Sequence, residues 1–99
     1  MKEYTEIEVT QDHIIDGVES CSQNCAIALA LMDSELLSYT EWADVQGCED
    51  IYKEFRIGNE YFQIGINIHP EDKELVQNFI EWYDEGLDCN SIKFRAKLE

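Results

Sequence analysis

The chain is poor in proline, with one, and poor in basic residues, with seven Lys or Arg against 22 Asp or Glu in 99 positions. The near absence of proline, beside 44% hydrophobic and 11% aromatic residues, excludes a disordered chain despite a formal charge of −15. The shortage of Lys and Arg removes the phosphate-neutralising contacts on which nucleic-acid binding depends, and an anionic membrane surface would repel the protein. Neither direct nucleic-acid binding nor membrane contact is expected. No window approaches the run of about 20 apolar residues that a membrane span needs, and MKEYTEIEVT lacks the apolar core of a signal peptide. A cytoplasmic location is the expectation. The five glycines never cluster into a phosphate cradle, no G-x-S-x-G elbow is present, and no G-x-x-x-x-G-K-S/T loop occurs. Nothing in the sequence supports an enzyme, and no cofactor is expected.

What is present suffices for one small core. A chain of this length forms a single domain, residues 1–99, without repeat or linker. Leu98-Glu99 has the form of the dipeptide that joins a C-terminal purification tag, so it is given no functional weight.

The alternation of Thr5, Ile7 and Val9 with Tyr4, Glu6 and Glu8 has the period of a half-buried strand. Thr10 fits the N-cap of a short helix over Gln11 to Asp16, stopped by Gly17. Asn24 to Leu37 reads as a second helix, whose start, Cys25 to Met32, is apolar all round and therefore buried. Gly58-Asn59 predicts a two-residue hairpin turn that sets Phe55 opposite Phe62 and Ile57 opposite Glu60. Ile51, Phe55, Ile57, Phe62, Ile64 and Ile66 then share one face, expected to be core. Pro70 opens a helix capped by His69. Its Leu75, Val76, Phe79, Ile80, Trp82 and Tyr83 recur at helical spacing before Gly86. Ser91 to Leu98 is the last strand, with Lys93, Arg95 and Lys97 on one side. The predicted class is α+β: an antiparallel sheet with a central hairpin, covered on one face by two longer helices.

Val9-Thr10-Gln11-Asp12-His13-Ile14, then Gly17, then Cys25 leading into Ala26-Ile27-Ala28-Leu29-Ala30-Leu31, resembles a group of small phage and prophage proteins. The group shares a VTQ(D/E)HI…G…C-P-V-A-L-A-L pattern and a late helix end, matched here by Phe79-Ile80 and Asp84-Glu85-Gly86. About a third of the chain is covered, in order. Ala26 stands where the group has proline, and three residues rather than two separate Cys21 from Cys25. The resemblance implies a phage origin and a fold, and no activity.

Cys21 and Cys25 at a helix start could form a thiol or metal site, because a helix N-terminus lowers a thiol's pKa. Zinc needs four ligands, and the others would have to come from Cys48, Cys89, His13 or His69, scattered along the chain. No metal is expected, and reduced, inert thiols are favoured. His13 and His69, both at helix starts, read as capping or surface residues.

Charge is the stronger signal. Residues 1–50 hold 12 carboxylates against one lysine, Lys2. If the last strand lies beside the first, Glu6 and Glu8 face Lys93, Arg95 and Lys97 across it. Asp12, Asp16, Glu19, Glu41, Asp44, Glu49 and Asp50 are then left uncompensated. They form either a solubilising coat or a binding face for a basic partner, such as a host protein or nucleic-acid-binding complex whose groove normally holds phosphates. On the second reading, acids of the late helix, Glu74, Glu81, Asp84 and Glu85, matter far less. A homodimeric accessory role is the remaining alternative.

Overall fold

Alternating burial along five strands builds the molecule. The computed structural model describes residues 3–38 and 40–99. In chain order it contains β1 (Thr5–Val9), α1 (Gln11–Asp16), α2 (Ala26–Met32), β2 (Trp42–Gly47), β3 (Asp50–Ile57) and β4 (Glu60–Ile68). A 3-10 turn (Pro70–Asp72) then leads into α3 (Lys73–Asp84) and β5 (Ile92–Leu98). The strands form one sheet in the order β1-β5-β4-β3-β2, with every neighbouring pair antiparallel. The α+β class with an antiparallel sheet is as predicted.

One sheet face carries Ile7, Val9, Phe94, Ala96, Ile66, Ile68, Ile51, Ala43 and Val45, all buried. On it lie Ala26, Ile27, Ala28, Ala30 and Leu31 of α2 and Val76, Phe79 and Tyr83 of α3. The alanines of α2 let its backbone approach the sheet, while Phe79 and Tyr83 stack with ring centroids 5.8 Å apart.

The local signals for α1 and the hairpin hold. The Thr10 hydroxyl accepts from the His13 amide at 3.3 Å, and His13 Nδ1 accepts from the Thr10 amide at 3.0 Å, a reciprocal cap. His13 Nε2 meets Asp33 at 2.6 Å, which ties α1 to the end of α2. His69 Nδ1 likewise accepts from the Glu71 amide at 3.1 Å. Gly58 has φ +63°, the conformation the hairpin turn requires, and Phe55 pairs with Phe62 and Ile57 with Glu60.

Three expectations need correction. The second helix is only Ala26–Met32, because Asp33 caps it and the Ser34 hydroxyl donates to the Leu31 carbonyl at 2.6 Å, turning the chain away. A further strand, β2, joins the predicted set: its inward residues are only Ala43 and Val45, and they flank a buried Asp44, so no strong period-two signal shows. The hairpin's apolar face is core only at its base. Ile51 and Ile66 are buried, whereas Ile57 is 63% and Phe62 39% exposed, because the helices cover the sheet's centre and stop short of the hairpin tip. Leu98 ends β5 opposite Ile66, in keeping with the predicted last strand, and the Glu99 amide beyond it donates to the Gly65 carbonyl at 2.9 Å.

Arg95 clamps the 3-10 turn to β5. Its Nε and Nη2 donate to Asp72 at 2.9 and 3.1 Å, and its amide donates to the same carboxylate at 2.8 Å. The guanidinium holds the Asp72 carboxyl below its usual pKa. A depressed native pKa contributes stability that is present above the unfolded-state value, about 4, and is lost as pH falls through the native value. Asp72→Asn is therefore expected to cost about 1 kcal/mol at pH 7, the half-exposed guanidinium tempering the effect. In urea titrations the gap between wild type and variant should close below about pH 4. A gap that stays constant would refute the clamp.

Candidate functional site

The seven candidate acids do not form one surface. Glu41 is ion-paired with Lys53 at 2.8 Å, both side chains being about 15% exposed. Partial burial pushes its carboxyl up, but hydrogen bonds from Lys53 and Ser38 outweigh this and hold it below the usual range. Glu49 meets Lys73 at 3.2 Å in an exposed pair of little energetic weight. Asp50 is exposed at the start of β3. The expectation that all seven are uncompensated is thus corrected for Glu41 and Glu49.

Asp44 is buried, at 7% exposure. Its Oδ2 receives only Gln46 Nε2 at 3.4 Å, and its Oδ1 has no hydrogen-bond partner among the described residues. It lies under the loop before α2, where the Val45 amide donates to the Ser22 carbonyl at 2.8 Å. A buried carboxylate so poorly partnered costs stability, since desolvation is not offset. Asp44→Asn should leave the free energy of unfolding in urea titrations unchanged or raise it by up to about 1 kcal/mol. A loss of more than that would show a partner for this carboxylate.

Asp12, Asp16 and Glu19 are exposed and gathered with three acids from the other end of the chain. Asp12, Ile15 and Asp16 are spaced three and four apart on the solvent side of α1. The Tyr83 hydroxyl donates to the Ile14 carbonyl at 3.2 Å, the Ser20 amide donates to Asp84 at 2.9 Å, and Gln11 Nε2 donates to the Cys89 carbonyl at 3.4 Å. The Glu19 carboxylate lies close over Gly86. The segment from Asp84 to Ser91 therefore runs beside α1 and the α1–α2 loop. This brings the segment that carries Asp84, Glu85 and Asp88 beside the one that carries Asp12, Asp16 and Glu19. The same two segments carry exposed apolar side chains: Ile15 (74%), Val18, Leu87 and Trp82. None of the six carboxylates forms an ion pair among the described residues.

Asp84 and Glu85, expected to matter little, thus adjoin the early acids. The signal that could have found them is the pair of stretches 3–52 and 74–92, neither of which contains a Lys or Arg.

The open sheet face has the opposite character. Glu6 and Glu8 lie opposite Arg95 and Lys93 in register, but Arg95 turns to Asp72, and neither glutamate makes an ion pair among the described residues. Lys97 sits 4.7 Å over the Tyr4 ring and Arg56 4.7 Å over Tyr61. Glu54 accepts from Trp42 Nε1 at 2.7 Å and from Gln63, so its charge is spent within the sheet.

The thiols are all free. Cys21 and Cys25 line a cleft of about 300 Å³ between the loop before α2, the end of β2 and α3. Among the described residues no three His, Cys, Asp or Glu side chains converge as a set of metal ligands, and no helix is long and apolar enough to cross a membrane. No protein-family model, curated protein or solved structure matches the chain.

Proposed function

We propose that the protein is a small acidic binding protein, phage-encoded as its VTQDHI…CAIALAL motif suggests, that acts in the host cytoplasm on a basic host protein. The target is a protein or complex whose basic groove normally holds DNA or RNA, and occupation of that groove inhibits it. The observation that carries this reading is that two adjoining segments carry Asp12, Asp16, Glu19, Asp84, Glu85 and Asp88, none ion-paired among the described residues, together with exposed Ile15, Val18 and Leu87. A solubilising coat needs total charge only. Exposed aliphatic side chains set among the acids fit a docking surface, where apolar contacts supply affinity and carboxylates supply steering and partner choice.

The test is capture from host lysate on the immobilised protein, followed by a competition assay with the captured protein purified. A basic, nucleic-acid-binding protein that loses its DNA or RNA as this chain is added supports the reading. Capture of no such protein, or of one whose nucleic acid stays bound, refutes it.

A second reading, self-association, draws on the exposed Ile57, Tyr61 and Phe62 at the hairpin tip, where Arg56 and Glu60 balance in charge. Light scattering after gel filtration decides it: a dimer broken by Ile57→Lys supports this reading, and a monomer at every concentration removes it.

A further inference from the structure

The cleft beside α2 has a use that the docking surface does not need. We propose that Cys21 is a reactive thiol that captures small, neutral, apolar electrophiles of the α,β-unsaturated carbonyl class in this cleft. The tight turn leading into α2 makes the arrangement. The Cys21 carbonyl accepts from the Asn24 amide at 3.3 Å and from the Cys25 amide at 2.9 Å, folding the chain back on itself. The fold-back brings the Asn24 side-chain amide to 3.6 Å from Cys21 Sγ. Ile27, Val45, Phe79 and Ile80 supply apolar wall, enough for an aliphatic tail, in a volume suited to a molecule of roughly ten heavy atoms.

The four thiols are not equivalent. The backbone amide of Gln23, then the side-chain and backbone amides of Asn24, stabilise negative sulfur at Cys21 and lower its pKa. Burial raises that of Cys25. Burial followed by a neighbouring carboxylate raises the other two, Glu49 at Cys48 and Asp88 at Cys89. Since the thiolate is the nucleophile, Cys21 reacts first.

The step balances without an oxidant. The sulfur lone pair forms the S–C bond at the β-carbon, the π pair of the C=C bond shifts to the enolate, and the enolate carbon takes a proton from water. Asp84 on the cleft wall, with Glu19 near the wall residue Tyr83, disfavours an anionic electrophile, which sets the neutral class.

The experiment uses the reduced full chain with N-ethylmaleimide and with a maleimide bearing a carboxylate tail, followed by intact mass and peptide mapping. Cys21 is expected to be labelled at least about tenfold faster than Cys25, Cys48 or Cys89, with the neutral reagent faster than the anionic one, in line with its larger thiolate fraction. Cys21→Ser removes the fast phase. Asn24→Ala slows it several-fold, and Ile80→Trp, which fills the cleft, slows N-ethylmaleimide while leaving the circular dichroism spectrum intact. Equal rates at the four thiols, a fast phase elsewhere, or a rate indifferent to Ile80→Trp would overturn the proposal.

Discussion

Reversing Asp12, Asp16, Glu85 and Asp88 to lysine is expected to weaken partner binding roughly 100-fold, about 2.7 kcal/mol. Reversing Glu3, Glu35, Glu60 and Glu74 should weaken it only a few-fold. Each set changes four charges from −1 to +1, so the two variants have the same net charge and differ only in where the change falls. All eight side chains are exposed and outside the ion pairs of the described residues, so neither set removes a structural contact of that kind. Glu41 and Asp44 are left out deliberately: the first holds Lys53 and the second is buried, so reversal there would report on folding. Binding should fall with added salt, because exposed charges are screened beyond about 8 Å at physiological ionic strength. It should not vanish, because Ile15, Val18 and Leu87 contribute a component that salt does not screen. Equal losses in the two sets, measured by calorimetry or surface plasmon resonance on the captured protein, would leave the solubilising coat as the account of these acids.

The parts of this fold that the sequence discloses are those set by local chemistry. Thr10 and His13 cap one another within a single turn, Gly58 can adopt a positive φ, and His69-Pro70 starts a turn whatever surrounds it. Each is legible because cause and effect lie within four residues. β2 is illegible because only Ala43 and Val45 face the core, on either side of a buried Asp44, and they lie against a helix that is itself built on small residues. The close approach of α2 and sheet is a tertiary fact, and it leaves only a faint alternation in sequence. The depth of the hairpin's core failed for a related reason: register says which side chains share a face, but not how far the helices reach along it. The acidic surface was half legible. Charge counting found Asp12, Asp16 and Glu19, but their proximity to Asp84, Glu85 and Asp88 depends on Tyr83 bonding to Ile14 across 69 positions. Asp44 and Glu41 are not legible in this way, because net charge along a chain carries no information on burial or on a partner from a neighbouring strand.

The junction that gathers those acids turns on Gly17, and Gly17→Ala is expected to cost about 3 kcal/mol. Its φ is −73°, ordinary for any residue, so backbone strain is not the reason. In such a conformation alanine would normally stabilise by several tenths of a kcal/mol, through the lower entropy of its unfolded chain. Here a Cβ would lie 2.8 Å from the Ala26 nitrogen and 2.9 Å from the His13 carbonyl, both backbone atoms that cannot rotate aside, and closer still to the Tyr83 hydroxyl. Relief requires α1 to move away from α2 and α3, which would break the Tyr83 bond to Ile14 and part Asp16 and Glu19 from Asp84. Thermal unfolding should show a fall of roughly 12–24 °C, given about 4–8 °C per kcal/mol for a domain of this size. Gly47→Ala is the matched comparison, since a Cβ there meets no described heavy atom within 4 Å, and its midpoint should change little. Tyr83→Phe, which removes only the hydroxyl bonded to Ile14, should lie between the two at about 1 kcal/mol. If Gly17→Ala is as stable as Gly47→Ala, the junction yields without cost and cannot be what holds the acidic surface together.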